Sequence, residues 1–95
     1  MKYEIMYIVR PDLEENVIKD VVKGFEKILT DNKAKITASK EMGQRRLAYE
    51  IKKYTSGYYY VYQIEVKDNK AIQEFDRLAL INENIIRHLI IRLDD

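Results

Sequence analysis

Tyr58-Tyr59-Tyr60-Val61-Tyr62-Gln63-Ile64-Glu65-Val66 is the stretch on which the reading of the fold turns. Aromatic and β-branched side chains suit a pleated, half-buried surface, so the run predicts a central β-strand. Successive side chains of a strand point to opposite sides. Tyr58, Tyr60, Tyr62, Ile64 and Val66 therefore share one face, and Tyr59, Val61, Gln63 and Glu65 share the other. The first set is wholly apolar or aromatic and is assigned to the core; the second carries two polar groups and is assigned to an open face.

Upstream, residues 52–57 read as a loop built around Ser56-Gly57, preceded by an alternating segment with Leu47, Tyr49 and Ile51. A weaker alternation occupies residues 35–42. The parity of Ile36 and Ala38 does not match that of Leu47 and Tyr49, as a bulge or break near Gly43 would cause. Before it, Asp31-Asn32-Lys33 supplies turn chemistry, with Asn32 the candidate left-handed cap. Leu13, Val17, Val21, Phe25 and Ile28/Leu29 recur at three- and four-residue spacing, which predicts an amphipathic helix packed on one side. Asp12 with Glu15 resembles a capping box at its start, and Pro11 ends a first strand in which Tyr3, Ile5, Tyr7 and Val9 share a face.

Downstream, Asp68 can cap a second helix with Ala71, Phe75, Leu78 and Ala79 as its buried stripe. Asn82-Glu83-Asn84 ends it, and residues 85–93 form a last strand. The order is strand, helix, strand, strand, helix, strand. Two right-handed crossovers and a hairpin then give an α+β, ferredoxin-like split β-α-β-β-α-β fold: a four-stranded antiparallel sheet with both helices on one face. At 95 residues the chain is expected to be a single domain, 1–95.

Charged residues make up 35% of the chain and apolar ones 46%, a balance suited to a folded protein. No apolar run approaches the ~20 residues that span a bilayer, so no membrane association is expected. Absence of cysteine removes disulfides, thiolate metal sites and thiol nucleophiles, and fits a cytoplasmic location. His88 is the only histidine, which leaves no His-based metal cluster, and its place in a strand favours a packed or partner-facing side chain. The three glycines, Gly24, Gly43 and Gly57, are too scattered for a phosphate-cradling loop. Carboxylates such as Glu14, Glu15, Asp20, Glu26, Glu74 and Asp76 fall on helix caps or polar faces, and Asp94-Asp95 reads as a frayed acidic end. Neither catalysis, nor a cofactor, a metal or a small-molecule substrate is expected.

Two features invite a binding role. Gly57-Tyr58-Tyr59-Tyr60 looks somewhat like the aromatic third-strand motif of an RNA-recognition motif, which stacks bases on exposed rings. Parity argues against that use: Tyr58 and Tyr60 sit with the core set, and Tyr59 and Val61, beside Met6 and Ile8, are left on the open face as an apolar patch suited to a protein partner. The second feature is local charge. With 17 basic and 16 acidic residues the net charge is only +1, yet Arg45, Arg46, Lys52 and Lys53 crowd into one short segment. Such a run is most often a solvated surface, but arginine's planar fork can also grip phosphate, and each phosphate neutralised releases counterions.

Gly43-Gln44-Arg45-Arg46-Leu47-Ala48-Tyr49-Glu50-Ile51 followed by Gly57-Tyr58 strongly resembles the signature stretch of the bacterial small ribosomal subunit protein six family. Residues 3–11, 74–79 and 85–88 resemble the family's opening strand, second helix and closing strand, so the likeness covers nearly the whole chain. The resemblance implies a ferredoxin-like fold, residence in the small ribosomal subunit, contact with the central domain of its RNA, and pairing with small-subunit protein eighteen. Under it, the expected RNA contacts are Lys2, Arg45, Arg46, Arg87 and Arg92, and the expected protein contacts are Tyr49, Tyr59 and Val61. A ligand-sensing or oligomerising regulatory domain of the same fold is the alternative; it requires a ligand pocket. An acylphosphatase-like hydrolase shares the topology, but Arg10-Pro11-Asp12 offers no glycine-rich anion loop.

Overall fold

The structure, a computed structural model, describes residues 1–93. Its elements are β1 (Lys2–Val9), α1 (Glu15–Asp31), β2 (Lys35–Ile51), β3 (Tyr54–Glu65), α2 (Lys70–Ile81) and β4 (Ile85–Arg92). The strands form one sheet in the order β2-β3-β1-β4, with every neighbouring pair antiparallel. This is the ferredoxin-like arrangement expected. Asp94-Asp95 lies outside the described residues.

The core lies between the helices and one sheet face. Ile5, Tyr7 and Val9 of β1 and Tyr60, Tyr62 and Ile64 of β3 are buried there with Phe25 and Leu29 of α1 and Phe75 and Ala79 of α2. Tyr7 sits at the centre, its ring 5.4 Å from Phe25, 5.4 Å from Tyr60 and 5.8 Å from Phe75. Its hydroxyl shares a 2.6 Å hydrogen bond with that of Tyr62, which satisfies both polar tips in an apolar interior. The parity argument thus holds: Tyr60 is buried and Tyr58 is packed half-buried against the same core.

Three local expectations need correction. Asp12 does not cap α1; its carboxylate is held by Arg10, Nε to Oδ1 2.7 Å, a charge-assisted bond that also draws the Asp12 pKa below its ordinary value. Glu14 is the N-cap instead, its carbonyl accepting from the N–H groups of Val17 and Ile18. The left-handed residue after α1 is Lys33 (φ 66°), whereas Asn32 keeps φ −96° and turns its side-chain amide onto the Ile28 carbonyl. Finally, Ser56 and Gly57 belong to β3, and the β2–β3 connection is only Lys52-Lys53, both left-handed (φ 51° and 70°), as a two-residue hairpin requires.

That short turn makes the β2–β3 hairpin a long arm. Gly43 (φ 76°) sits at the expected bulge, where pairing slips between Glu41 and Gly43, and further slips occur at Ile36/Ala38 and beyond Arg46. Within the last slip, Leu47 is buried with Ile8 and Ile86 in a second, smaller cluster, with Ile51, Tyr54 and Tyr59 packed around it. Ile86 reaches this cluster because β4 carries one extra residue opposite the Ile8/Val9 step of β1. Gly57 has no room for a side chain: a Cβ there would lie 2.3 Å from Ile8 Cγ2 and 3.0 Å from the Val9 carbonyl oxygen. Only glycine fits without displacement.

Candidate functional site

The register distributes the candidate side chains over the sheet. Met6 pairs with Val61 and with Leu89, and Ile8 pairs with Tyr59 and with Arg87, so all six share the face away from the helices. On this open face Met6, Leu47, Tyr49, Tyr59, Arg87 and Leu89 line a cleft of about 240 Å³. Two candidates for protein contact, Tyr49 and Tyr59, border the cleft, and Val61 lies one pair along on the same face, between Met6 and Lys40. The open-face patch is therefore smaller than expected: Met6, Val61 and a half-buried Tyr59 remain on it, whereas Ile8 is buried under Leu47 and Ile86.

The five candidate RNA cations do not come together. Arg45 is opposite Gly57 and Arg46 opposite Ser56, so these neighbours project to opposite sides of the arm, both exposed. Arg45 Nε donates to the Met42 carbonyl at 3.3 Å, beside the bulge. Arg87, on the far edge strand, donates from Nη1 to Tyr49 Oη at 2.8 Å, so the arm and β4 meet across the cleft. Lys2 and Arg92 stand at the other end of the strands, about 17–20 Å from Arg87 along β1 at the usual rise per residue. Lys2 is on the open side, opposite Glu65 and 3.9 Å from its carboxylate; Arg92 is opposite Tyr3 and so on the helix side.

His88 faces the helices, opposite Tyr7, and its Nε2 lies 2.7 Å from Asp76 Oδ1 on α2, which makes it a packed residue and gives the Asp76 carboxylate a partner. Among the described residues no group of three or more His, Asp or Glu could hold a metal ion. No helix is long and apolar enough to cross a membrane. Leu89 was the cleft residue hidden from sequence reading; the alternation of Arg87, Leu89 and Ile91 along β4 carried the signal once the pairing with Met6 was known.

A ferredoxin-like sheet whose surface chemistry consists of separated cations and an apolar open face belongs to the class of small binding domains. The sequence pattern of the family Ribosomal protein S6 matches residues 2–92. The structure superposes on that of 30S ribosomal protein S6 from Thermotoga maritima with a TM-score of 0.92, at 32% identity, covering 97% of this chain and 86% of that one. The chain belongs to the ribosomal protein S6 family. Its role is accordingly structural, not enzymatic, and its place is the small ribosomal subunit in the cytoplasm.

Proposed function

We propose that the chain, acting as one domain, binds the central domain of small-subunit ribosomal RNA together with small-subunit protein eighteen, and so supports assembly of the subunit. The observation that carries this reading is the contact of Arg87 with Tyr49: one cation-bearing arm, holding Arg45 and Arg46, closes one side of an apolar cleft. Exposed guanidinium groups suit phosphate, and the apolar face bearing Tyr49, Tyr59 and Val61 suits a protein. Lys2 and Arg92 add cations at the far strand ends. Two modest surfaces engaged at once give a tighter assembly than either alone.

The test is binding of the purified protein to a central-domain RNA fragment across a salt series, with and without protein eighteen. Arg45→Ala with Arg46→Ala is expected to weaken binding and to flatten the salt dependence by about 1–2 in log–log slope. Val61→Asp is expected to weaken capture of protein eighteen while leaving the slope for RNA in place. Unchanged binding in the arginine variant removes Arg45 and Arg46 from the RNA site.

A further inference from the structure

A second cationic feature lies at the end of the sheet remote from the arm. Lys35 of β2 is opposite Glu65 of β3, and Glu65 is opposite Lys2 of β1, so two ammonium groups flank one carboxylate in a single row on the open side. Lys33 and Lys67 join them around a depression of about 320 Å³ whose remaining wall is Met1 and Val66. Four lysines thus surround one carboxylate, an excess of three positive charges in a chain whose net charge is +1.

The frame that holds them is fixed by backbone bonds. The Met1 ammonium donates to the Val66 carbonyl at 2.8 Å, and the Val66 N–H donates back to the Met1 carbonyl at 2.9 Å, which ties the chain start to the end of β3. Lys33 is held in the left-handed region by the turn that closes α1, its N–H bonded to the Thr30 carbonyl at 3.0 Å. Lys33, Lys35 and Lys67 are all exposed. A concave, water-open site with excess positive charge, framed by fixed backbone, suits a polyanion with several closely spaced phosphates.

We infer that the basin formed by Lys2, Lys33, Lys35 and Lys67 is a second seat for the phosphate backbone of RNA, separate from the arginine-bearing arm. This rests on the reading of the chain as a binder of small-subunit ribosomal RNA and adds to it where on the molecule a further run of phosphates sits. Ammonium groups act here as point charges, so the basin contributes affinity and orientation without reading base sequence.

The test uses Lys33→Gln, Lys35→Gln and Lys67→Gln together, in the full chain with protein eighteen, against the central-domain RNA fragment over a salt series. The expected result is a log–log slope flatter by about 2–3. The triple arginine replacement at the same positions should retain the native slope. Lys19→Gln, Lys23→Gln and Lys27→Gln on the exposed face of α1 remove the same charge elsewhere and should leave the slope nearly unchanged. If the basin variant keeps the native slope, or the α1 variant flattens it equally, the basin is not a phosphate seat while RNA binding by the protein stands. If the native protein binds no RNA fragment with or without protein eighteen, the functional reading falls and the basin with it.

Discussion

Arg87 Nη1 and Tyr49 Oη, on the two opposite edge strands of the sheet, are joined by a 2.8 Å hydrogen bond. Neighbours in the sheet order lie roughly 5 Å apart, so β2 and β4, separated by β3 and β1, could not touch in a flat sheet. The bond exists because residues 47–50 of β2 bulge out of the ladder between Arg46 and Ile51, over the open face, where Leu47 anchors them.

The anchor and the bond are expected to differ in weight. Leu47→Ala removes a buried side chain between Ile8 and Ile86 and should cost about 2–4 kcal/mol in urea unfolding. Tyr49 is 62% exposed, so Tyr49→Phe should cost under about 1 kcal/mol. A large loss in the Tyr49 variant would mean that the hydrogen bond, and not the apolar cluster, holds the arm.

Gly57→Ala should destabilise by about 1–3 kcal/mol through overpacking against Ile8 and the Val9 carbonyl. Combining it with Ile8→Ala, which removes the obstructing Cγ2, should cost less than the sum of the two single substitutions. Simple additivity of the two substitutions would contradict the close approach.

The turn Lys52-Lys53 places two side-chain-bearing residues at positive φ, where Asn-Gly is the favoured pair. Lys52→Asn with Lys53→Gly is expected to raise stability by about 1 kcal/mol, read as a higher urea midpoint at unchanged m-value. Lys52 Nζ also reaches the Ile85 carbonyl at 3.5 Å, so Lys53→Gly alone isolates the backbone contribution.

Burial raises the pKa of both Tyr7 and Tyr62, with the neighbouring tyrosine adding to the effect on Tyr7. A raised pKa means that the folded chain keeps protons that the unfolded chain loses above about pH 10. Stability is therefore level in this respect below about pH 10 and falls as pH rises beyond it. Tyr62→Phe should make that alkaline decline shallower. At neutral pH the same substitution deprives the Tyr7 hydroxyl of its partner, costing about 1–3 kcal/mol, and adding Tyr7→Phe should recover much of it.

The alternation of β1 and β3 was legible because every residue from Tyr58 to Val66 keeps one parity, and Tyr60 and Tyr62 could be placed in the core from order alone. Short-range chemistry was less legible where two residues competed for one partner. Asp12 offers a carboxylate to a helix start, but Arg10 two residues earlier is a stronger claimant, brought within reach by the turn at Pro11. Ser56-Gly57 looked like a loop because glycine usually marks one; here glycine serves a close approach inside a strand, which depends on Ile8, nearly fifty positions away. The site divides the same way. Arg45 and Arg46 were visible as a local run, whereas the cleft and the lysine basin depend on pairing between strands distant in sequence.

The three slips along β2 have an effect beyond shaping the arm. An edge strand shows a row of unpaired amides to solvent, and a regular one is a template on which another chain can extend the sheet. β2 spoils that template three times over and studs it with Lys35, Lys40, Arg45 and Arg46. β4 runs from Arg87 to Arg92 without a slip and exposes Leu89 and Ile91. The chain thus has one edge heavily guarded against unwanted sheet growth and one whose guard is only the cations Arg87 and Arg92 at its two ends.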